Sequence, residues 1–111
     1  MFLGTSTAGI LETELAYRHR DPATGALPDS FHYEGSQNAF SVADFVRRTL
    51  GFEGPAIVVC SACSSSAKVF GSAWRMMAAD LIDAAVVGGV DSLCLTTLYG
   101  FHALQLTTIK L

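Results

Sequence analysis

Three cysteines, Cys60, Cys63 and Cys94, are the residues of this 111-residue chain best suited to covalent chemistry. Cys63 lies in the run Ser61-Ala62-Cys63-Ser64-Ser65-Ser66, after an apolar β-branched stretch and before a helical pattern. A cysteine at a strand-to-helix turn is well placed as a nucleophile. The free N–H groups of a helix start and the helix dipole both favour the thiolate. The same N–H groups suit the oxyanion of a tetrahedral thioester adduct. Residues 64–67 are small enough for a substrate to approach. Cys63 therefore has a physical case as an acyl-accepting nucleophile.

Other uses of the cysteines compete with this one. Cysteine often serves as a small buried hydrophobe, which describes Cys60 and Cys94 better than Cys63. Cys60 and Cys63 have C-x-x-C spacing, which also fits a redox pair. Redox pairs sit together at a helix start, however, whereas Cys60 reads as part of the strand. Two cysteines can begin a zinc site, but no second C-x-x-C or H-x-x-x-H supplies the other ligands. His19, His32 and His102 are scattered, and His102 among Phe101, Ala103 and Leu104 reads as a core or interface histidine. No metal set and no cofactor fingerprint emerges. The odd cysteine count, with no export signal, argues for free thiols.

The elements that would hold Cys63 follow from periodicity. Residues 56–60 read as a buried strand, with Pro55 at its entrance. A helix is expected from about Ser64 to Ala79, its packing face made of Ala67, Phe70, Gly71, Trp74, Met77, Ala78 and Leu81. Residues 84–87 form a second buried strand, and Gly88-Gly89 give a tight backbone path beyond it. Two parallel strands around one helix make a β-α-β unit. Upstream, residues 2–4 end a strand and residues 4–9 read as small packing residues, with no phosphate-loop ending. Residues 10–17 form a short helix, with Glu12 and Glu14 toward the positive end of its dipole. Residues 18–30 are loop, and Arg18-His19-Arg20 a solvated helix end. Residues 40–51 carry a helix signature: Ser41 as N-cap with Asp44, a Phe40–Phe45 staple, a stripe of Val42, Phe45, Val46 and Leu50, and Gly51 as the stop. Residues 93–98 are ambiguous between strand and helix, and residues 100–106 read as another packed segment.

Half of the chain is apolar, which suits one modest domain and favours a buried sheet with closely packed helices over a disordered segment. A net charge of -3 gives no broad attraction to nucleic acid or anionic membrane. No apolar run is long enough for a spanning helix. The N-terminus lacks the basic start of a secretory signal, which points to a cytoplasmic protein. Met1-Phe-Leu-Gly at one end and Thr-Thr-Ile-Lys-Leu111 at the other read as the edges of a piece of a larger protein.

The ordered set Gly54-Pro55, AIVVC, Ser61-Ala62-Cys63-Ser64-Ser65-Ser66 and Val87-Gly88-Gly89-Val90-Asp91-Ser92 resembles the nucleophile region of beta-ketoacyl-[acyl-carrier-protein] synthases. The upstream GTSTAG and the downstream LTTLYGFHALQ are similar to the same family. The resemblance implies an α/β, thiolase-like fold, with residues 1–111 as a partial N-terminal half whose β-α-β unit carries the nucleophile. It implies acyl transfer to Cys63, with the Cys63 N–H in the oxyanion hole, then decarboxylative condensation with malonyl-carrier protein. The implied partners are acyl carrier protein, acyl thioesters and a second copy of the chain, with Ile57, Val58 and Val59 near the dimer interface. The family's two decarboxylating histidines and a phenylalanine-bearing loop come from a later half. His102 matches neither histidine motif, so the chain alone is expected not to condense efficiently. A truncated, noncatalytic assembly domain is the alternative.

Overall fold

The computed structural model describes residues 1–108; the expected unfinished tail at Ile109–Leu111 lies outside the described residues. Three parallel strands form the sheet: β1 (Phe2–Gly4), β2 (Ile57–Val59) and β3 (Val87–Gly89), in the order β2-β1-β3. Phe2, Leu3 and Gly4 face Ile57, Val58 and Val59 on one side and Val87, Gly88 and Gly89 on the other. The strands of the β-α-β unit are therefore separated by the N-terminal strand, which becomes the central one. The fold is mixed α/β, a parallel sheet flanked by helices.

Side-chain alternation along β1 divides the core. Phe2 points to one face and is fully buried against Val69 and Ala73 of α4 (Ser65–Ala78), with Ile57, Val59 and Val87 around it. Leu3 points to the other face and packs with Met1, Ala43 and Val58 beneath α3 (Ser41–Leu50). Helices cover both faces, which explains why the strands read as continuous apolar runs. Gly4 is required here by close approach. A Cβ on it would lie 2.7 Å from the Ser65 carbonyl carbon and the Ser66 nitrogen.

Several expectations need correction. The sheet-facing side of α4 is Ser65, Val69 and Ala73, with Met76 packed beside them. The expected face points away: Phe70, Trp74 and Leu81 are each more than 60% exposed. The helix carries apolar residues on two sides, so periodicity alone could not select the one that meets the sheet. β3 begins three residues later than expected and includes Gly88 and Gly89. Gly89 pairs with Gly4 at the strand's end, and the position takes a glycine because a Cβ there would collide with the Ser66 hydroxyl.

The start of α3 also differs. Its N-cap is Phe40, and Ser41 is already helical with no capping bond from its hydroxyl. The Asn38 side-chain oxygen accepts the Phe40 N–H at 3.0 Å, so the turn is made one step earlier. Phe40 and Phe45 both remain exposed, so no staple buries them. Of the expected stripe, Val42 and Val46 pack on the core, while Phe45 and Leu50 are exposed. Asp44 instead pairs with Arg47 and Arg48 on its own helix. Gly51 does end the helix, at φ 66°, with the Phe52 N–H bonded to the Arg47 carbonyl.

Helix α1 (Ile10–Arg18) runs one residue past its expected span, and only Ala16 is buried on it. The short α2 (Tyr33–Ser36) had no clear sequence signal. The ambiguous stretch near the C-terminus is a single helix, α5 (Leu95–Ala103). Its first turn is capped from α1, where the Glu14 carboxylate accepts the Leu95 and Thr96 N–H groups. Glu14 thus serves the dipole of α5, not of its own helix. No helix among the described residues is long and apolar enough to cross a membrane.

Candidate active site

The carboxyl ends of three parallel strands converge, and each continues into one loop of the site. β2 leads to Cys60–Ser61 and the 3-10 turn Ala62–Ser64, which runs into α4. β1 leads to Thr5-Ser6-Thr7, and β3 to Val90-Asp91-Ser92. In open α/β sheets, the crevice beyond the carboxyl ends of the strands is where ligands bind.

Cys63 is exposed, in the middle of the 3-10 turn just before α4. Ala62, immediately before it, has φ 52°, in the left-handed region. That conformation costs an alanine about 1–2 kcal/mol, so the surroundings must impose it. They do so with a set of serine hydroxyls. The Ala62 carbonyl accepts the Ser65 hydroxyl at 2.7 Å and the Ser6 hydroxyl at 2.9 Å. The Ser61 N–H donates to Ser65 Oγ at 2.8 Å, and the Ser64 hydroxyl to the Ser61 carbonyl at 2.8 Å. The serine run around Cys63 is thus the scaffold of a sharp turn that presents the thiol.

Asp91 ties the other two loops together. Its Oδ1 accepts the Ser6 N–H at 2.6 Å, the Thr7 N–H at 2.9 Å, the Thr7 hydroxyl at 3.0 Å and the Thr5 hydroxyl at 3.2 Å. Burial alone would raise this carboxyl. The hydrogen bonds from Ser6, Thr7 and Thr5 together outweigh that and hold it below the usual aspartate value. The Ser92 N–H donates back to Thr7 Oγ1 at 2.7 Å, and the Ser92 hydroxyl bonds the Ala8 carbonyl. Thr5 is completely buried, and its Oγ1 also accepts the Ala8 N–H at 2.8 Å.

The other candidate groups are placed as follows. Cys94 is buried, as expected, and its Sγ lies 3.0 Å from Thr97 Oγ1. Cys60 is exposed, against the expectation of a buried hydrophobe, because β2 ends at Val59. His102 is exposed rather than in the core, with Nδ1 3.1 Å from Thr107 Oγ1. His19 Nδ1 lies 2.7 Å from the Leu15 carbonyl, and His19 and His32 line a groove of about 530 Å3 beside Phe31 that includes no residue of the Cys63 turn. Among the described residues, no group of three or more histidine, cysteine or acidic side chains is arranged to hold a metal ion.

Sequence reasoning found Cys63 and its serine run but gave no role to Ser6, Thr7 or Asp91. The available signal was their position: three consecutive hydroxyl residues after one apolar strand and a lone aspartate after another. Both stretches fall at carboxyl ends of parallel strands.

Comparison with known proteins places this arrangement in a family. Residues 1–110 match the model of the beta-ketoacyl synthase N-terminal domain. The spectinabilin polyketide synthase system protein NorA' of Streptomyces orinoci is 34% identical over 88 residues, which cover 78% of this chain and 2% of that protein. A ketosynthase, ApeO, solved in complex with its chain length factor ApeC from Xenorhabdus doucetiae, superposes with a TM-score of 0.73 at 32% identity. That match covers 93% of this chain and 26% of the solved one, so the chain spans a small part of the length of either relative. With the family model matched from the first residue to the C-terminal segment and the sheet superposing on a solved ketosynthase, the chain belongs to the beta-ketoacyl synthase family, within its N-terminal domain.

Proposed function

We propose that this chain supplies the nucleophile of a beta-ketoacyl-carrier-protein synthase, with Cys63 as the acyl-accepting residue. The observation that carries the reading is an exposed cysteine on a strained strand-to-helix turn at the start of α4, in a member of this family. The Cys63 sulfur attacks the carbonyl of an acyl thioester. The new C–S bond forms a tetrahedral oxyanion, for which the Cys63 N–H is a natural donor. Collapse breaks the donor's C–S bond, and its thiol leaves with the proton that Cys63 gave up.

Condensation follows in the full-length synthase. Malonyl-carrier protein loses carbon dioxide, and the resulting carbanion attacks the acyl carbonyl on Cys63. A C–C bond forms, the Cys63 thioester bond breaks, and the cysteine returns as thiolate. Stabilising the carbanion requires the histidines that the family resemblance assigns to a later half. None of His19, His32 and His102 belongs to the Cys63 turn. In this reading the chain contributes acyl acceptance at Cys63, and condensation draws on the histidines of the later half. Acyl carrier protein and acyl thioesters are the proposed partners in the complete enzyme.

Assembly with a second condensing-enzyme chain is part of the same reading. β2 is an outer strand of the sheet among the described residues, and unpaired strand edges favour pairing. The pairing of the Xenorhabdus ketosynthase with its chain length factor supports it. A noncatalytic assembly role is favoured by one observation of its own, the exposed Phe70 and Trp74 of α4 together with the exposed Leu81 just beyond it.

The test is incubation of the purified chain with octanoyl-CoA, followed by intact mass. A single octanoyl adduct that disappears in Cys63→Ala supports the nucleophile assignment. An adduct unchanged in Cys63→Ala refutes it, and no adduct at all favours the noncatalytic role.

A further inference from the structure

Asp91 and Ser6 form a continuous hydrogen-bonded path to the peptide that carries the Cys63 N–H. The Ser6 N–H is held by Asp91 Oδ1 at 2.6 Å, and the Ser6 hydroxyl is donated to the Ala62 carbonyl at 2.9 Å. The Ala62–Cys63 peptide is trans, like every peptide described in the chain. In a trans peptide the C=O and the following N–H lie in one plane and point in opposite directions. Fixing the Ala62 oxygen therefore fixes the direction of the Cys63 N–H. The oxygen is held from two sides, by Ser65 of the helix and by Ser6 of the β1 loop. Ser6 is in turn held by Asp91, 85 positions away in the chain.

We propose that Asp91, acting through Ser6, is a positioning residue that aims the Cys63 N–H at the oxyanion formed during acyl transfer. This deepens the acyl-acceptor reading and rests on it. Ser6 is exposed and sits on no helix or strand, so its hydroxyl is not spent on packing. The left-handed φ of Ala62 gives the peptide plane a second reason to need support, because without an external tie the plane relaxes toward ordinary dihedrals. An oxyanion donor works only when preorganised toward the position of the developing charge, and small misplacements are costly.

Two reactions of the same thiol separate positioning from mere exposure. Acylation by octanoyl-CoA passes through an oxyanion. Alkylation by iodoacetamide is a direct displacement at carbon and does not. Site-resolved mass spectrometry of the 111-residue chain would follow both at Cys63, with exposed Cys60 as an internal reference and buried Cys94 as a sensor of unfolding. Ser6→Ala and Asp91→Ala are expected to slow Cys63 acylation by about tenfold to a hundredfold. Their Cys63 alkylation, relative to Cys60, should stay within about twofold of wild type, with Cys94 still protected. Ser6→Thr, which keeps the hydroxyl, should restore most of the acylation rate.

Acylation in Ser6→Ala equal to wild type, with Cys94 protected, overturns the inference and leaves the nucleophile assignment standing. So does a parallel fall in acylation and alkylation at Cys63. Absence of acylation at wild-type Cys63 instead overturns the nucleophile assignment itself, and the inference with it. Should Asp91→Ala expose Cys94, Ser6→Ala and Ser6→Thr decide between these outcomes, because they alter one exposed hydroxyl.

Discussion

Ser6 donates its hydroxyl to the Ala62 carbonyl at 2.9 Å across 56 positions of sequence, joining the loop after the central strand to the residue before Cys63. Ala62 is held at φ 52°, where a β-branched side chain clashes with its own backbone. Ala62→Val is therefore expected to destabilise the chain by about 1–3 kcal/mol, measured by urea denaturation. Ala62→Gly, which adopts this φ freely, should stay within about 1 kcal/mol of wild type. Its acylation rate should nevertheless fall, because glycine loosens the peptide plane that Ser6 and Ser65 hold.

The glycines of the sheet give a second, paired prediction. A Cβ on Gly4 would meet the backbone of Ser65 and Ser66 at 2.7 Å, where nothing flexible can yield. A Cβ on Gly88 would meet only a Leu3 methyl at 3.7 Å, an ordinary contact. Gly4→Ala should cost about 1–3 kcal/mol by overpacking, and should also shift the Cys63 turn away from β1. Gly88→Ala should change stability by less than about 1 kcal/mol. Equal costs at the two positions, measured by chemical denaturation, would count against this account of how α4 seats on the sheet.

The orientation of α4 yields a third. Val69 is completely buried against Phe2, whereas Trp74 is 66% exposed on the opposite side. Val69→Ala should cost about 2 kcal/mol through lost burial and a residual cavity. Trp74→Ala should fall within about 0.5 kcal/mol of wild type in the isolated chain. The reverse ranking in thermal or urea unfolding would restore the face that periodicity favoured.

What the sequence made legible divides along physical lines. Local backbone chemistry was readable: Gly51 as a helix stop, Pro55 at a strand entrance, and the small and hydroxyl residues of the Cys63 turn. The parallel setting of β2, with side chains packed on both faces, followed from Ile57-Val58-Val59 lacking any polar alternation, although all three are only half-buried. The helix face was not readable, because Val69 and Ala73 on one side and Phe70 and Trp74 on the other satisfy the same period. Which helix Glu14 caps was equally hidden, since its partners Leu95 and Thr96 are 81 and 82 positions away. The Asp91 network escaped for a related reason: its residues form no local pattern and meet only once β1 enters between β2 and β3.

That network and the Glu14 cap predict how stability responds to acid. Asp91 is held below its usual value by the hydrogen bonds from Ser6, Thr7 and Thr5, which overcome the opposing effect of burial. Glu14 is lowered first by its side-chain bond with Thr96 and then by the Thr96 and Leu95 N–H groups. For both groups the folded value lies below the unfolded one, so in that interval the unfolded chain binds more protons. Their stabilisation is fully present above the unfolded carboxylate range. It is lost as pH falls below about 4 and through the lower folded values. Urea midpoints measured from about pH 7 down to about pH 3 should therefore stay flat above about pH 5 and then decline. Asp91→Asn and Glu14→Gln should each lower the neutral-pH midpoint and shrink the acid-side decline, because the variant group no longer titrates. Both carboxylates are solvent-accessible, so about 1 M salt should reduce the contribution of each. An acid-side slope unchanged in both variants would mean that other carboxylates govern acid unfolding.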